Sequence, residues 1–447
     1  MRNLIVFSLM TILLLMTGFL QSWSLMLSIF NLCILSAIMA LGVNIQWGYA
    51  GLFNVGIMGF AALGGLSVVL ISKKGIDEAI TLGGGDMLVA LLLAVITIIL
   101  SIYIHRRISN KFITILVVIV GYSFARHYYT NASVSIESVS PSLSGYLGGF
   151  GLPVMLSWIV GGMFAALAAW FIGKISLGLR SDYLAIATLG ISEIIISLIK
   201  NEDWLTRGVK NVTAIPRPVP YEFDLQQATW FQDLIAKIYA NKLVNLTGDE
   251  RLQVLVEYIN EASIIFVKLC YAGLFLSVLV LFVILANLAL NSPWGRMVRA
   301  VRDNEVAASA MGKDVKRLHL QIFIIGSAIV GIAGAMLVTY DGQFTPGAYN
   351  PLRYTFLIWV MVIIGGSGNN LGSVIGGFLI WFIWIEAEPM GFWLMEFVTS
   401  FMSDDSLLKQ HLLDSAQYMR LILMGMMLLL VMRFSPNGIL PEINKKL

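Results

Sequence analysis

The feature that most constrains the fold of this chain is a succession of long apolar runs separated by glycines, prolines or charges. A helix needs about 20 apolar residues to cross the hydrocarbon layer of a membrane. Of the 447 residues, 58% are hydrophobic and only 12% are charged, whereas soluble domains carry about 25% charged residues. We therefore predict an all-α polytopic membrane protein with about 10 to 12 transmembrane helices, some of them broken by glycine.

The apolar runs give a set of candidate crossings. They are 4–20, 25–41, 53–71, 87–104, 112–126, 154–173, 183–199, 264–290, 319–340, 354–368, 371–386 and 417–432. Several are short, so they could be re-entrant or broken helices rather than full crossings. The first run resembles a signal peptide, but no small-residue cleavage site follows it. We interpret it as a retained helix, with a signal sequence as the alternative.

The most charged short connection, 292–320, lies between two of these runs. Its basic residues are Arg296, Arg299, Arg302, Lys313, Lys316 and Arg317. Pro293 suits the first turn of a helix and Gly312 could end it. Val298 and Val301 place an apolar face opposite the arginines, which predicts a short amphipathic helix at the membrane surface. Such a helix could present itself to a cytosolic partner or contact anionic lipid headgroups.

The positive-inside rule orients the chain once 292–320 is taken as cytoplasmic. The crossing count then places most other basic residues inside: His105, Arg106, Arg107, Lys111, Lys174, Arg180, Arg433, Lys445 and Lys446. It places these acidic residues of a second connection outside: Glu386, Glu388, Asp404 and Asp405. The pair Lys73–Lys74 is an exception, since it falls outside. The chain divides into an N-terminal transmembrane half (1–199), a periplasmic insertion (200–263) and a C-terminal transmembrane half (264–447).

The insertion is the largest polar segment. Three prolines within 215–220 exclude a regular helix there. Apolar residues recur at helical spacing over 230–239 and again over 252–259, which predicts two short amphipathic helices on the outer face. The insertion is either a solvated addition without chemistry or part of a docking surface for an external partner.

Glycine-rich stretches interrupt two apolar runs, at 47–56 and at 365–372. Glycines allow helices to pack closely or to break, and a break frees backbone groups for a polar ligand. One such stretch in each half indicates a possible internal repeat around a central pathway, with simple helix packing as the alternative. The crossing count puts both breaks on the same side, whereas an inverted repeat would place them on opposite sides.

Residues typical of enzymes and metal sites do not form recognisable patterns. The chain lacks the GxxxxGK[ST] phosphate loop and the GxSxG, HExxH and CxxC motifs, and its four histidines are scattered. Cys33 and Cys270 lie in apolar runs, as buried thiols do. Glu193 is the clearest acidic residue inside a crossing, where it serves either packing or a pathway. We expect a transport pathway with no cofactor, metal or nucleic acid of its own.

Several stretches resemble the branched-chain amino-acid permeases of bacterial ATP-binding-cassette importers. They are Arg180–Gly190 with Glu193, Gly295–Arg296, Arg302–Glu305, Ala307–Ala308, Gly312, Gly331–Ala335, Gly48–Leu52, Gly365–Gly368 and Arg433–Pro441. They cover most of 25–445 in the family's order. The stretch 206–211 departs from the Gly-Gly-Pro-Asn-Gly run usual in the family, and the insertions 221–263 and 387–416 look longer than usual.

The resemblance implies an inner-membrane subunit that pairs with a second related permease, two cytoplasmic ATPase subunits and a periplasmic substrate-binding protein. It implies that the basic helix is a lever moved by an ATPase, with Val298, Val301 and Ala308 filling the ATPase groove. The expected coupling residues are Gly295, Arg296, Val298, Arg299, Val301, Arg302, Glu305, Ala308 and Gly312. The expected pathway residues are Gly48, Tyr49, Gly51, Asn54, Tyr183, Thr188, Glu193, Gly365, Gly366 and Gly368.

Three alternatives remain open at this point. A related permease of the same fold could carry urea or short amides, and a stand-alone secondary carrier would work without ATPase partners. A membrane-embedded enzyme would need a catalytic constellation, and none is recognisable. Whether the second permease is identical or different does not follow from the residues.

Overall fold

The structure is a computed structural model that describes five stretches of the chain. These are 2–108, 110–140, 144–243, 248–402 and 406–442. Within them, ten helices are long and apolar enough to cross a membrane, and two shorter apolar helices, Ile57–Ser72 and Pro351–Gly365, accompany them. The predicted all-α polytopic membrane fold is confirmed. Asp404, Asp405, Lys445 and Lys446, which entered the orientation argument, lie outside the described residues.

The first half of the chain forms eight helices. They are α1 (Arg2–Leu20), α2 (Trp23–Val43), α3 (Ile57–Ser72), α4 (Asp77–Ala79), α5 (Gly85–Ile108), α6 (Lys111–Glu137), α7 (Val154–Ser176) and α8 (Ser181–Asn201). A π-helical turn, Asn44–Gly48, extends α2, and a second one, Ile80–Gly84, precedes α5. The predicted helix at 53–71 therefore begins four residues later, because residues 51–56 form an irregular segment before Ile57.

The middle of the chain contains short helices around one long one. They are α9 (Asp203–Thr206), α10 (Glu222–Gln227), α11 (Thr229–Ile238), α12 (Ala240–Leu243), α13 (Asp249–Asn291), α14 (Pro293–Asp303) and α15 (Glu305–Ala310). The predicted amphipathic helix at 230–239 is α11. The one at 252–259 is not separate, because α13 runs unbroken for 43 residues. The boundary drawn at residue 263 consequently falls inside α13, whose first turns stack Tyr258 on Tyr239.

The last part of the chain forms five helices. They are α16 (Val315–Asp341), α17 (Pro351–Gly365), α18 (Asn370–Val398), α19 (Leu407–Asp414) and α20 (Met419–Phe434). Single 3₁₀ turns lie at Pro346–Ala348 and Ser415–Tyr418. Since α18 continues to Val398, Glu386 and Glu388 belong to this helix and not to a connection. Glu386 is buried and accepts a hydrogen bond from Gln21 (2.8 Å), while Glu388 pairs with Arg420.

Small residues bring the central helices into close contact. A side chain on Gly64 of α3 would collide with the backbone of Gly331 in α16, and one on Gly334 would collide with the backbone of Ala61. Gly161 of α7 lies against Gly64 in the same way. Close backbone approach through small residues is how helices gain packing contacts in a lipid environment. The core therefore consists of α2, α3, α7, α16, α17 and α18.

Successive long helices run in alternating directions, so the segments that connect them gather at two ends of the bundle. The basic end carries α14, α15 and the glycine breaks; the insertion end carries residues 202–243 and 342–350. At the insertion end, Val212 and Phe344 exchange backbone hydrogen bonds of 3.0 and 2.8 Å. The ammonium of Lys73 donates there to the carbonyls of Thr213 and Ala214, and burial, followed by repulsion from Arg207, lowers the pKa of Lys73.

Candidate functional site

The basic connection forms the predicted amphipathic helix, α14, which continues into α15 after Asn304. Pro293 occupies the first turn of α14, and the Asn304 side chain accepts a hydrogen bond from the Ala307 N–H at the start of α15. Gly312 adopts a left-handed φ of 76° between α15 and α16, a conformation that favours glycine. The lever is thus a pair of short helices held between two crossings, α13 and α16.

The apolar face of this lever points into the protein. Val298, Val301 and Ala308 are buried, and Gly295 packs so closely on the backbone of Leu290 that no side chain fits between them. The expectation that the valines and Ala308 fill a partner's groove is therefore corrected, because they seat the lever on its own subunit.

The outward surface of the lever has a different composition. Arg296 and Glu305 are exposed on it, as are two large apolar side chains, Val306 and Met311, each 80% exposed. These two lie outside the crossings, so lipid tails do not cover them. The sequence analysis missed them, because single exposed apolar side chains are common on protein surfaces and give no signal of their own.

Arg302 connects the lever to the first glycine break. Its guanidinium donates to the carbonyl oxygen of Gly48 (2.6 Å) and forms ion pairs with Glu442 (3.0 Å) and Asp303 (3.1 Å). Burial alone would lower the pKa of Arg302, but the hydrogen bond and attraction from Glu442, with a smaller contribution from Asp303, raise it. Arg302 therefore stays charged, and its hydrogen bond joins α14 to the backbone at Gly48.

The two glycine breaks lie side by side at the basic end. The side-chain oxygen of Asn44 accepts the Gly368 N–H (2.9 Å), and the amide of Asn44 donates to Asn370 (3.3 Å). Asn370 in turn donates to Asn287 in α13 (2.8 Å). This arrangement agrees with the crossing count, and it means that the breaks are not the paired elements of an inverted repeat.

A second hydrogen-bond cluster ties the first break to its neighbours. Gln46 donates to the carbonyl of Phe323 and to the Ser327 hydroxyl in α16, both at 3.0 Å. It also accepts a bond from Asn54 (2.9 Å), whose own carbonyl accepts the indole N–H of Trp359. Asn54 is fully buried in this cluster. This hydrogen-bond cluster holds α16 and α17 against the first break.

The second break is held by the C-terminal segment. Gly366 and Gly368 have φ values of 116° and 79°, and Gly366 lies directly against the carbonyl of Leu440. Backbone N–H groups of Ile439 and Leu440 donate to Ile364 and Gly365. Residues 436–442 therefore close the end of α17 with backbone contacts.

Only part of α8 belongs to this site. Its Thr188 hydroxyl accepts the Val55 N–H (3.0 Å), and its Ser192 hydroxyl accepts the Gly59 N–H (2.9 Å), so α8 buttresses the start of α3. Tyr183 and Glu193 instead lie on the exposed face of α8. Of the predicted pathway residues, the structure brings together Gly48, Tyr49, Gly51, Asn54, Thr188, Gly365, Gly366 and Gly368.

The same site depends on residues that the sequence analysis did not single out. They are Asn44, Gln46, Asn287, Asn370 and Glu442. Asn44 and Asn370 could have been found, because asparagines lie at both glycine stretches. No sequence pattern pointed to Gln46 or Glu442. Across the described residues, no group of three or more His, Cys, Asp or Glu side chains could hold a metal ion, and both cysteines are free thiols.

Comparison with known proteins places this arrangement in context. The family described as "branched-chain amino acid transport system / permease component" matches residues 25–146 and 136–432. The high-affinity branched-chain amino acid transport system permease protein LivM of Escherichia coli K12 is 28% identical over 294 residues, which are 65% of this chain and 58% of that protein. The chain therefore spans less than two thirds of that relative's length.

More distant relatives share shorter stretches. The probable branched-chain amino acid transport permease protein LivM of Methanocaldococcus jannaschii is 28% identical over 153 residues, 34% of this chain and 41% of that protein. The fructose import permease protein FrcC of Rhizobium meliloti is 29% identical over 119 residues, 26% of this chain and 33% of that protein. No solved structure matches. Because the family match extends over most of the chain and over both glycine breaks and the lever, this chain belongs to the family of branched-chain amino acid transport system permease components.

Proposed function

We propose that this chain is the permease subunit of an ATP-driven importer that moves branched-chain amino acids into the cytoplasm. The observation that carries the proposal is the bond from Arg302 on the lever to the carbonyl of Gly48. It links a surface helix to a broken membrane helix through one charged side chain. Family membership supplies the substrate class.

The partners follow from what this chain lacks and what it exposes. Two cytoplasmic ATPase subunits would hydrolyse ATP, since the chain contains no phosphate loop. One of them would contact the exposed side of the lever at Arg296, Glu305, Val306 and Met311. A second related permease would cover the open face of α8, where Glu193 is unfavourable against lipid. A periplasmic binding protein would deliver the solute at the insertion end, in the bacterial inner membrane.

The mechanism is a switch between two packings of the same helices. Movement of the ATPase subunits shifts α14 and α15 as one body on their own apolar face. Arg302 then pulls or releases Gly48, and the π-helical turn Asn44–Gly48 can rearrange because it is not locked by regular helical bonding. The neighbouring break at Gly368 stays in place, so the Asn44 side chain exchanges its bond to the Gly368 N–H as the first break moves. Access to the pathway thereby changes from one side to the other.

The proposal is tested by reconstituting the chain with its co-purifying subunits and measuring ATP hydrolysis and leucine uptake in the same vesicles. Arg302→Ala is expected to lower uptake by about tenfold or more while hydrolysis continues, since coupling energies of this size are typical. Arg317→Ala, which removes an exposed arginine at the start of α16 that contacts neither glycine break, is the matched control and should retain coupled uptake. Equal coupling in both variants would contradict the lever mechanism.

The same vesicles separate the alternatives. Uptake of leucine without ATP or partner subunits would indicate a secondary carrier. ATP-driven uptake of urea or acetamide in place of leucine would support the importer assignment but assign a different substrate to it.

A further inference from the structure

A cavity of about 470 Å³ lies inside the core, between α2, α3, α16, α17 and α18. Its size falls within the roughly 300–1,000 Å³ typical of small-molecule sites. Asn211, Asp341 and Gln343 line it at the insertion end and are exposed there. The cavity therefore opens toward the side from which an importer receives its solute.

The residues that line the cavity include none from the two glycine breaks at the basic end. Its deep wall contains Met39, Met58 and Met361. Asn54 precedes Met58 toward the basic end, and its carbonyl accepts the indole N–H of Trp359 (3.0 Å), which lies two residues before Met361 on α17. The solute side of the cavity thus ends on adaptable methionine side chains, and the first glycine break lies behind them.

Two polar groups on the cavity wall are open to a ligand, one exposed at the insertion end and one buried. Asp341 lies at the end of α16 and forms no ion pair with any side chain in the described part of the chain. The indole nitrogen of Trp381 in α18 is buried and finds no acceptor among the described residues. A buried donor without an acceptor is destabilising, so a ligand that supplies the acceptor is favoured.

We propose that this cavity binds the transported solute within this one subunit, as a neutral amino acid with a branched apolar side chain. Its ammonium group meets the Asp341 carboxylate, and a carboxylate oxygen accepts the Trp381 N–H. The apolar side chain points toward Met39 and Met361. The assignment of the ligand rests on the proposed function; the cavity and its two unpaired groups do not.

The test measures binding of radiolabelled leucine to the purified full-length chain in lipid nanodiscs. Leucine should bind, and leucinamide, which keeps the amine, should compete better than N-acetylleucine, which has lost the charge. Asp341→Asn should weaken leucine binding about tenfold, the loss of one charge-assisted contact, and Asp341→Glu should restore most of it. Asp233→Asn is the matched control, because Asp233 is exposed on α11 and does not line the cavity.

A second variant fills the cavity instead of altering its charge. Met361→Trp should abolish leucine binding while the melting temperature stays close to that of the parent chain. Unchanged binding in both Asp341→Asn and Met361→Trp would overturn the proposal. So would a phospholipid that occupies the cavity and is not displaced by leucine.

Uptake by the reconstituted importer separates this inference from the proposed function. ATP-driven leucine uptake that persists in Asp341→Asn and Met361→Trp would leave the importer intact and overturn the cavity site. If leucine binding depends on Asp341 but the preparation shows no ATP-driven uptake, the cavity site stands and the importer proposal is overturned.

Discussion

The two glycine breaks lie next to each other, but they are stabilised in different ways. At the first break the contacts come from side-chain amides: Asn44, Gln46 and Asn54 provide them. The second break shares the Asn44 contact at Gly368, but there the backbone of residues 436–442 also packs on Gly366 and bonds to the end of α17. Side-chain amides can exchange partners by rotation about single bonds. A backbone contact is released only when the whole segment moves.

Under the proposed mechanism, this difference favours the first break as the one that moves. The first break can rearrange in small steps, and Arg302 contacts its backbone directly at Gly48. In the proposed mechanism the second break acts as a fixed support, because backbone contacts from residues 436–442 hold it. Arg302 also pairs with Glu442 of the fixed support. The lever therefore lies between a mobile element and a static one.

The largest effect is expected where backbone packs on backbone. Gly366→Val places a side chain against the Leu440 carbonyl at a φ of 116°, which should destabilise the fold by about 3 kcal/mol. The measurement is the melting temperature and monodisperse yield in detergent. Gly273→Val is the control, since nothing lies within 4 Å of that position. Gly48→Val should cost less, because one of its obstacles is the movable Asn44 side chain; an equal loss would remove the distinction between the breaks.

A smaller effect is expected when an amide contact is removed. Asn44→Ala leaves the buried Gly368 N–H without its acceptor, which should cost about 2 kcal/mol of unfolding free energy. Asn201→Ala is the matched control, because that exposed amide bonds only within its own helix. The readout is thermal unfolding together with leucine uptake. If Asn44→Ala unfolds like the parent chain, the amide does not hold the two breaks together.

The crossings could be predicted from the sequence because apolar length alone determines whether a helix can span a membrane. The amphipathic character of α14 was also predictable, in this case from the spacing of Val298 and Val301. The burial of that face against α13 was not predictable, because it depends on the close approach of Gly295 to Leu290. Charged residues interspersed at 249–263 disguised the start of α13, which forms there because α10 and α11 pack on it, for example through Gln226 and Ser263.

The polar contacts of the site were the least predictable part. Gln46 bonds to groups that lie 277 and 281 residues away in the chain, and both Asn44 and Glu442 find their partners only after the two halves assemble. No local pattern records such pairs. The glycines were recognisable because a break needs them, whereas the residues that close a break can be any that reach it.

The smallest effect is expected from the ion pair that joins the lever to the C-terminal segment. Glu442→Gln keeps the size of the side chain and removes its charge, so it should cost about 0.5–1 kcal/mol of stability. The effect should shrink as salt is raised, because screening weakens a partly exposed pair. Glu222→Gln is the matched control, since Glu222 pairs with Arg217 at 2.9 Å with similar exposure at the insertion end. Both variants should melt alike, but only Glu442→Gln should change the ratio of uptake to ATP hydrolysis. A change of that ratio in both, or in neither, would show that the C-terminal segment is not the support against which the lever works.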